Sequence, residues 1–70
     1  MIPDRVVMWV DDTSGDPAWV VSVEYGPAAD PTSNETVSIV DIDDTASALD
    51  FAREYAAALG VPLMRIGRAR

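Results

Sequence analysis

Apolar and polar positions along this chain change from the period of a strand to that of a helix near residue 45. Before that point the apolar residues come in short β-branched and aromatic runs. Arg5-Val-Val-Met-Trp-Val10 is followed by Asp11-Asp-Thr-Ser-Gly-Asp-Pro17, a cluster of turn formers, so a strand and then a loop are predicted. Trp19, Val21, Val23 and Tyr25 alternate with Val20, Ser22 and Glu24, the period of two that marks a strand whose Trp19 face is buried. Gly26 to Glu35, with Pro27 and Pro31, reads as a loop, and Thr36 to Ile42 as a third strand.

From Thr45 the period is helical. Leu49, Ala52, Ala56 and Leu59 form one stripe, widened by Ala48 and Tyr55, while Asp50, Arg53, Glu54 and Ala57 face away. Asp44 or Thr45 is placed to cap the start, and Gly60 is a natural stop. Val61 to Ile66 reads as a last strand, with Pro62 favouring a sheet edge, where no neighbour needs the missing N–H.

The order β-β-β-α-β predicts an α+β fold: a single four-stranded, mainly antiparallel sheet with one helix packed on one face. A right-handed crossover from the third strand reaches the free edge of the first, which gives the spatial order 3-2-1-4 with the last strand parallel to the first. Residues 1–70 form one domain, with 67–70 as a tail.

Composition narrows the chemistry. The 70 residues are 49% hydrophobic, too apolar for a disordered segment, and a chain this short buries only roughly 60% of the surface its unfolded form exposes. No apolar run approaches the roughly 20 residues of a membrane span. Met1 to Arg5 lacks the cationic and apolar regions of a signal peptide, so a soluble cytoplasmic protein is expected. The absence of cysteine and histidine excludes disulfides, thiolate nucleophiles, imidazole bases and ordinary zinc sites. No cofactor is expected.

The net charge of −7 is uneven: residues 1–50 carry eleven acids and only Arg5, whereas residues 51–70 carry Glu54 against four arginines. Such a body repels nucleic acid except at its end, where Arg65, Arg68 and Arg70 are the candidate contacts. The bland reading of these arginines is a solvated tail that balances the acidic body.

Ser38-Ile-Val-Asp-Ile-Asp-Asp-Thr-Ala-Ser47 carries Asp41-x-Asp43-x-Thr45 after an apolar strand, and so resembles the nucleophile motif of haloacid-dehalogenase-type phosphatases. The resemblance covers five residues. That family implies a much longer domain, a lysine and further downstream acids; this chain has no lysine, and carboxylates alone do not stabilise a transferring phosphoryl group. Asp43 and Asp44 are explained by a helix start, which carboxylates favour. Asp41, Asp43 and Asp44 remain the weak candidates for a divalent ion, although an EF-hand is excluded because Ala52 stands where its bidentate glutamate belongs. Asp11, Asp12 and Asp16 have the same standing in the first loop, where turn formation accounts for them. With no nucleophile and base, no phosphate-cradling glycine loop and no cofactor motif, the chain is not expected to be an enzyme.

One helix cannot cover both faces of a four-stranded sheet. The second face is expected to hold Val7, Trp9, Val20, Val40 and Ile42, and exposed apolar patches of this kind mark interaction sites. The expected partner is another protein or a second copy of the chain, with no membrane. The acidic body also fits an antitoxin-like or inhibitor-like protein that masks a nucleic-acid-binding partner. The competing reading is that long side chains and the loop fold back over the face.

Thr45-Ala-Ser-Ala-Leu-Asp-Phe-Ala-Arg-Glu-Tyr-Ala56, then Gly60-Val-Pro-Leu63 and a strand ending Gly67-Arg68, with Trp19-Val-Val-Ser-Val-Glu24 before them, resembles a family of small bacterial proteins of unknown function. Those proteins carry a Trp-x-Val strand, a Thr-x-x-Ala helix and a Gly-Val-x-Leu strand. The likeness spans roughly two-thirds of the chain, at positions any amphipathic helix and strand would need. The acidic loop before Trp19 is longer here, and the Pro-rich loop after Tyr25 is extra. Strands followed by a Thr-capped helix are also similar to the HicB antitoxin family. These resemblances imply the fold and leave the activity open.

Overall fold

A computed structural model describes residues 2–13, 15–26 and 34–65. The elements run β1 (Pro3–Asp11), β2 (Ala18–Tyr25), β3 (Asn34–Asp41), a short 3₁₀ turn (Ile42–Asp44), α1 (Thr45–Leu59) and β4 (Leu63–Arg65). One sheet holds the strands in the order β3-β2-β1-β4, and α1 packs on one face. The expected α+β architecture and strand order are found. The sheet is mixed, because β4 pairs parallel with β1 while the other two pairings are antiparallel.

Alternation decides which residues are buried under the helix. Val6, Met8 and Val10 on β1 stand beside Val23, Val21 and Trp19 on β2, and these six with Ala48, Ala52 and Ala56 form the core. All three buried helix residues are alanines four apart, so α1 lies close to the sheet along a single file of methyl groups. Leu49 and Tyr55 flank that file, but Leu59 is 37% exposed and drops out of the expected stripe. Its place at the last helical residue carries it past the edge of the packed surface.

The helix bounds are those the sequence predicts. Gly60 takes a left-handed φ of 71°, and its N–H turns back to the carbonyls of Ala56 and Ala57, while the Val61 N–H donates to the Ala56 carbonyl at 3.0 Å. The cap at the other end differs from expectation. Asp44 occupies the cap position without a side-chain hydrogen bond, and Asp41 instead accepts from the Asp43 N–H at 3.1 Å, ahead of the inserted 3₁₀ turn. The Thr45 hydroxyl is engaged elsewhere: it accepts from the Trp19 indole N–H at 2.8 Å and donates to the Ile42 carbonyl at 3.2 Å.

Two boundaries also move. β3 begins at Asn34, inside the expected loop, and β4 begins at Leu63 because Val61 and Pro62 precede it as connection, while Ile66, expected in the same strand, lies outside the described residues. The Pro62 carbonyl still accepts from the Val6 N–H at 3.0 Å, so the chain enters the sheet edge through the one backbone group proline retains. The rest of the expected loop, residues 27–33, and the tail 67–70 lie outside the described residues. No helix among the described residues is long and apolar enough to cross a membrane.

Candidate interaction surface

Cross-strand partners share a face, so the register defines the side of the sheet opposite α1. Trp9 stands beside Val20, and Val20 beside Ile39, in one row across β1, β2 and β3. The next row runs Met64, Val7, Ser22, Thr36. Arg5 and Glu24 close one end of the face, and Asp11, Ala18 and Asp41 the other.

Val7, Trp9 and Val20 therefore lie together on this face as expected, but Val40 and Ile42 do not. Both pack against the helix-side core. The cause is a register shift in the β2–β3 pairing: Val21 meets Ser38 and Ser22 meets Thr36, which leaves Val37 as an extra residue on β3. The bulge places Val37 and Val40 on the helix side and turns Ile39 outward, the reverse of uninterrupted alternation.

The face is buried at its centre and exposed at its margins. Val7 and Val20 are only 1% and 5% exposed, whereas Met64 on β4 is 42% and Ile39 on β3 is 70% exposed, with Trp9 half-buried. Arg5 ties the end of the face together across three strands. Its Nε donates to Glu24 Oε1 at 2.6 Å and its Nη1 reaches the Met64 Sδ at 3.3 Å, so one guanidinium links β2 and β4 over β1. Comparison with protein-family models, with curated proteins and with solved structures gave no match.

The remaining candidate residues are placed as follows. Arg65 lies with its guanidinium 5.3 Å from the centre of the Trp19 ring, a cation–π contact that covers the buried indole from the β4 side. Arg68 and Arg70 lie outside the described residues. Asp41, Asp43 and Asp44 are exposed, and no three acidic side chains among the described residues converge as a metal site would require. In the first loop Asp11 accepts hydrogen bonds at Oδ1 from the Thr13 hydroxyl at 2.7 Å and the Thr13 N–H at 3.0 Å, and these hold its carboxyl below the usual aspartate range. That carboxylate is organised as a turn.

Ile39, Met64 and the Arg5–Glu24 pair are the surface residues that pattern reading missed. The signal for Ile39 was present in the strand itself. Val37 and Ile39 are in phase with each other, and Val40 and Ile42 are in the opposite phase, which is how an extra residue writes itself into a strand.

Proposed function

We propose that this chain is a small cytoplasmic protein-interaction module without catalytic activity, which engages a protein partner, or a second copy of itself, through the sheet face opposite α1. The observation that carries the reading is Ile39 and Met64, two large apolar side chains exposed at opposite margins of the face, with Trp9 half-buried between them. A partner that spans the face covers all three residues, and the apolar surface removed from water drives its association. The lack of histidine, cysteine and lysine supports the absence of catalysis, since it leaves few of the groups that act as nucleophile or base near neutral pH.

The acidic body favours a partner with a basic surface, including a nucleic-acid-binding protein that this chain masks. Direct nucleic-acid contact has less in its favour, because Arg65 is engaged with Trp19. Light scattering across a concentration series tests self-association, and affinity capture with nuclease treatment tests for another protein. Trp9→Ala should weaken either association while leaving the circular dichroism spectrum intact. A chain that is monomeric throughout, and whose captured partner is indifferent to Trp9→Ala, is incompatible with the face being used.

A further inference from the structure

The two edges of the sheet are unequal. β4 follows a proline and carries Arg65, both of which discourage the addition of another strand. β3 is eight residues long, holds no proline and no cation, and exposes Ile39. The bulge at Val37 interrupts it, and Glu35 and Asp41 discourage pairing with another acidic strand. Beyond the bulge, Ser38 to Asp41 pair in unbroken register with Val21 to Ala18. Every second residue of such an edge strand directs its N–H and C=O away from the sheet, where an added strand can take them up.

Charge and parity specify what this edge accepts. Glu35 and Asp41 on β3, with Asp43 and Asp44 just beyond, are all exposed acids, and none forms an ion pair with another described residue. Ile39 and Asp41 are two positions apart, so they share the face opposite α1. A strand added along Ser38–Asp41 places one of its side chains beside Ile39 and another, two residues away, beside Asp41. A second copy of β3 fits poorly here, because it brings acids against acids.

We propose that β3 is a strand-addition site for a basic, extended peptide segment, one that sets an apolar side chain against Ile39 and, two residues along, a lysine or arginine against Asp41. This rests on the reading of the chain as an interaction module and names the chemical class of the partner. Backbone hydrogen bonds supply affinity in this mode, and the alternate side chains supply selectivity.

The test is selection of random peptides displayed on phage against the folded chain, followed by amide hydrogen exchange with the enriched peptide. Enrichment of an apolar residue two positions from a lysine or arginine is expected, with slowed exchange at Ser38–Asp41. Affinity should fall about tenfold or more in Ile39→Lys, which adds a cation at an exposed position, and should weaken with added salt. Enrichment of acidic or helical sequences, or no enrichment, overturns the proposal. So does slowed exchange at Ser38–Asp41 that depends on protein concentration without peptide, because the edge then pairs with itself. Trp9→Ala separates this failure from failure of the module reading: association that is lost in Trp9→Ala and leaves the β3 amides unprotected refutes the edge site alone.

Discussion

The bond between the Trp19 indole N–H and the Thr45 hydroxyl joins the centre of the sheet to the first residue of the helix, and Thr45→Val probes it. Valine keeps the branched shape and removes the acceptor, so an indole 5% exposed keeps a donor with no partner. An unsatisfied buried donor costs about 1–3 kcal/mol; Thr45 is itself half-buried, which points to the lower half, about 1–2 kcal/mol. A domain of this size holds about 4–10 kcal/mol in all, so the loss is a visible fraction. It corresponds to a fall of roughly 7–14 °C in Tm. Urea denaturation followed by far-ultraviolet circular dichroism measures it without relying on either tryptophan. The discriminating step is a cycle with Trp19→Phe, which removes the donor. In that background Thr45→Val has no indole to strand, and its cost should shrink by about 1 kcal/mol. An equal cost in both backgrounds, or none in the parent, would refute the claim that this bond seats the helix.

Three other outcomes follow from the same structure. Ala52→Leu inserts bulk where the helix meets the sheet with no exposed surface, and should cost about 1–3 kcal/mol, whereas Ala57→Leu on the exposed side should stay within about 0.5 kcal/mol; the two urea midpoints compare them. Gly60→Ala meets no neighbouring atom, so its cost is that of a left-handed φ in an L-residue, about 1–2 kcal/mol, read from thermal unfolding. Asp11 titrates below its ordinary value in the folded chain, so the Thr13 hydrogen bonds contribute stability above the unfolded pKa that is lost as pH falls through the folded one. Thr13→Ala removes the hydroxyl and keeps the N–H, so the Asp11 titration followed by NMR should return only part of the way, and no movement would sink the assignment.

The helix was legible almost to the residue because its signals are local: a period of 3.6, a threonine at its first position and a glycine just past its end. Strand order was legible because a right-handed crossover leaving β3 through the helix reaches the free edge of β1. Side-chain direction in β3 was not legible. Apolar residues occur in both phases of Thr36 to Ile42, so either phase satisfies alternation, and only the pairing with β2 reveals Val37 as the extra residue. The capping carboxylate was misassigned for a related reason, since the 3₁₀ turn between β3 and α1 moves the capping bond back to Asp41. Size misled in the helix stripe, where Leu59 looks like a better core residue than alanine, yet the close approach of α1 selects Ala48, Ala52 and Ala56.

That file of three alanines has a consequence for how the molecule comes apart. Methyl groups raise no ridges tall enough to interlock with the sheet, so they fix how near the helix lies and do little to stop it sliding along its own axis. Its axial position is held by the flanking Leu49 and Tyr55 and at the ends, by Trp19 and Thr45 at one and by the turn from Gly60 through Pro62 to Val6 at the other. Release of one end fastening leaves the helix tethered by the other and by the pairing of β4 with β1, while the antiparallel ladders of β1, β2 and β3 stay closed. Residues 42–65 therefore leave the sheet as one hinged unit only when both end fastenings open.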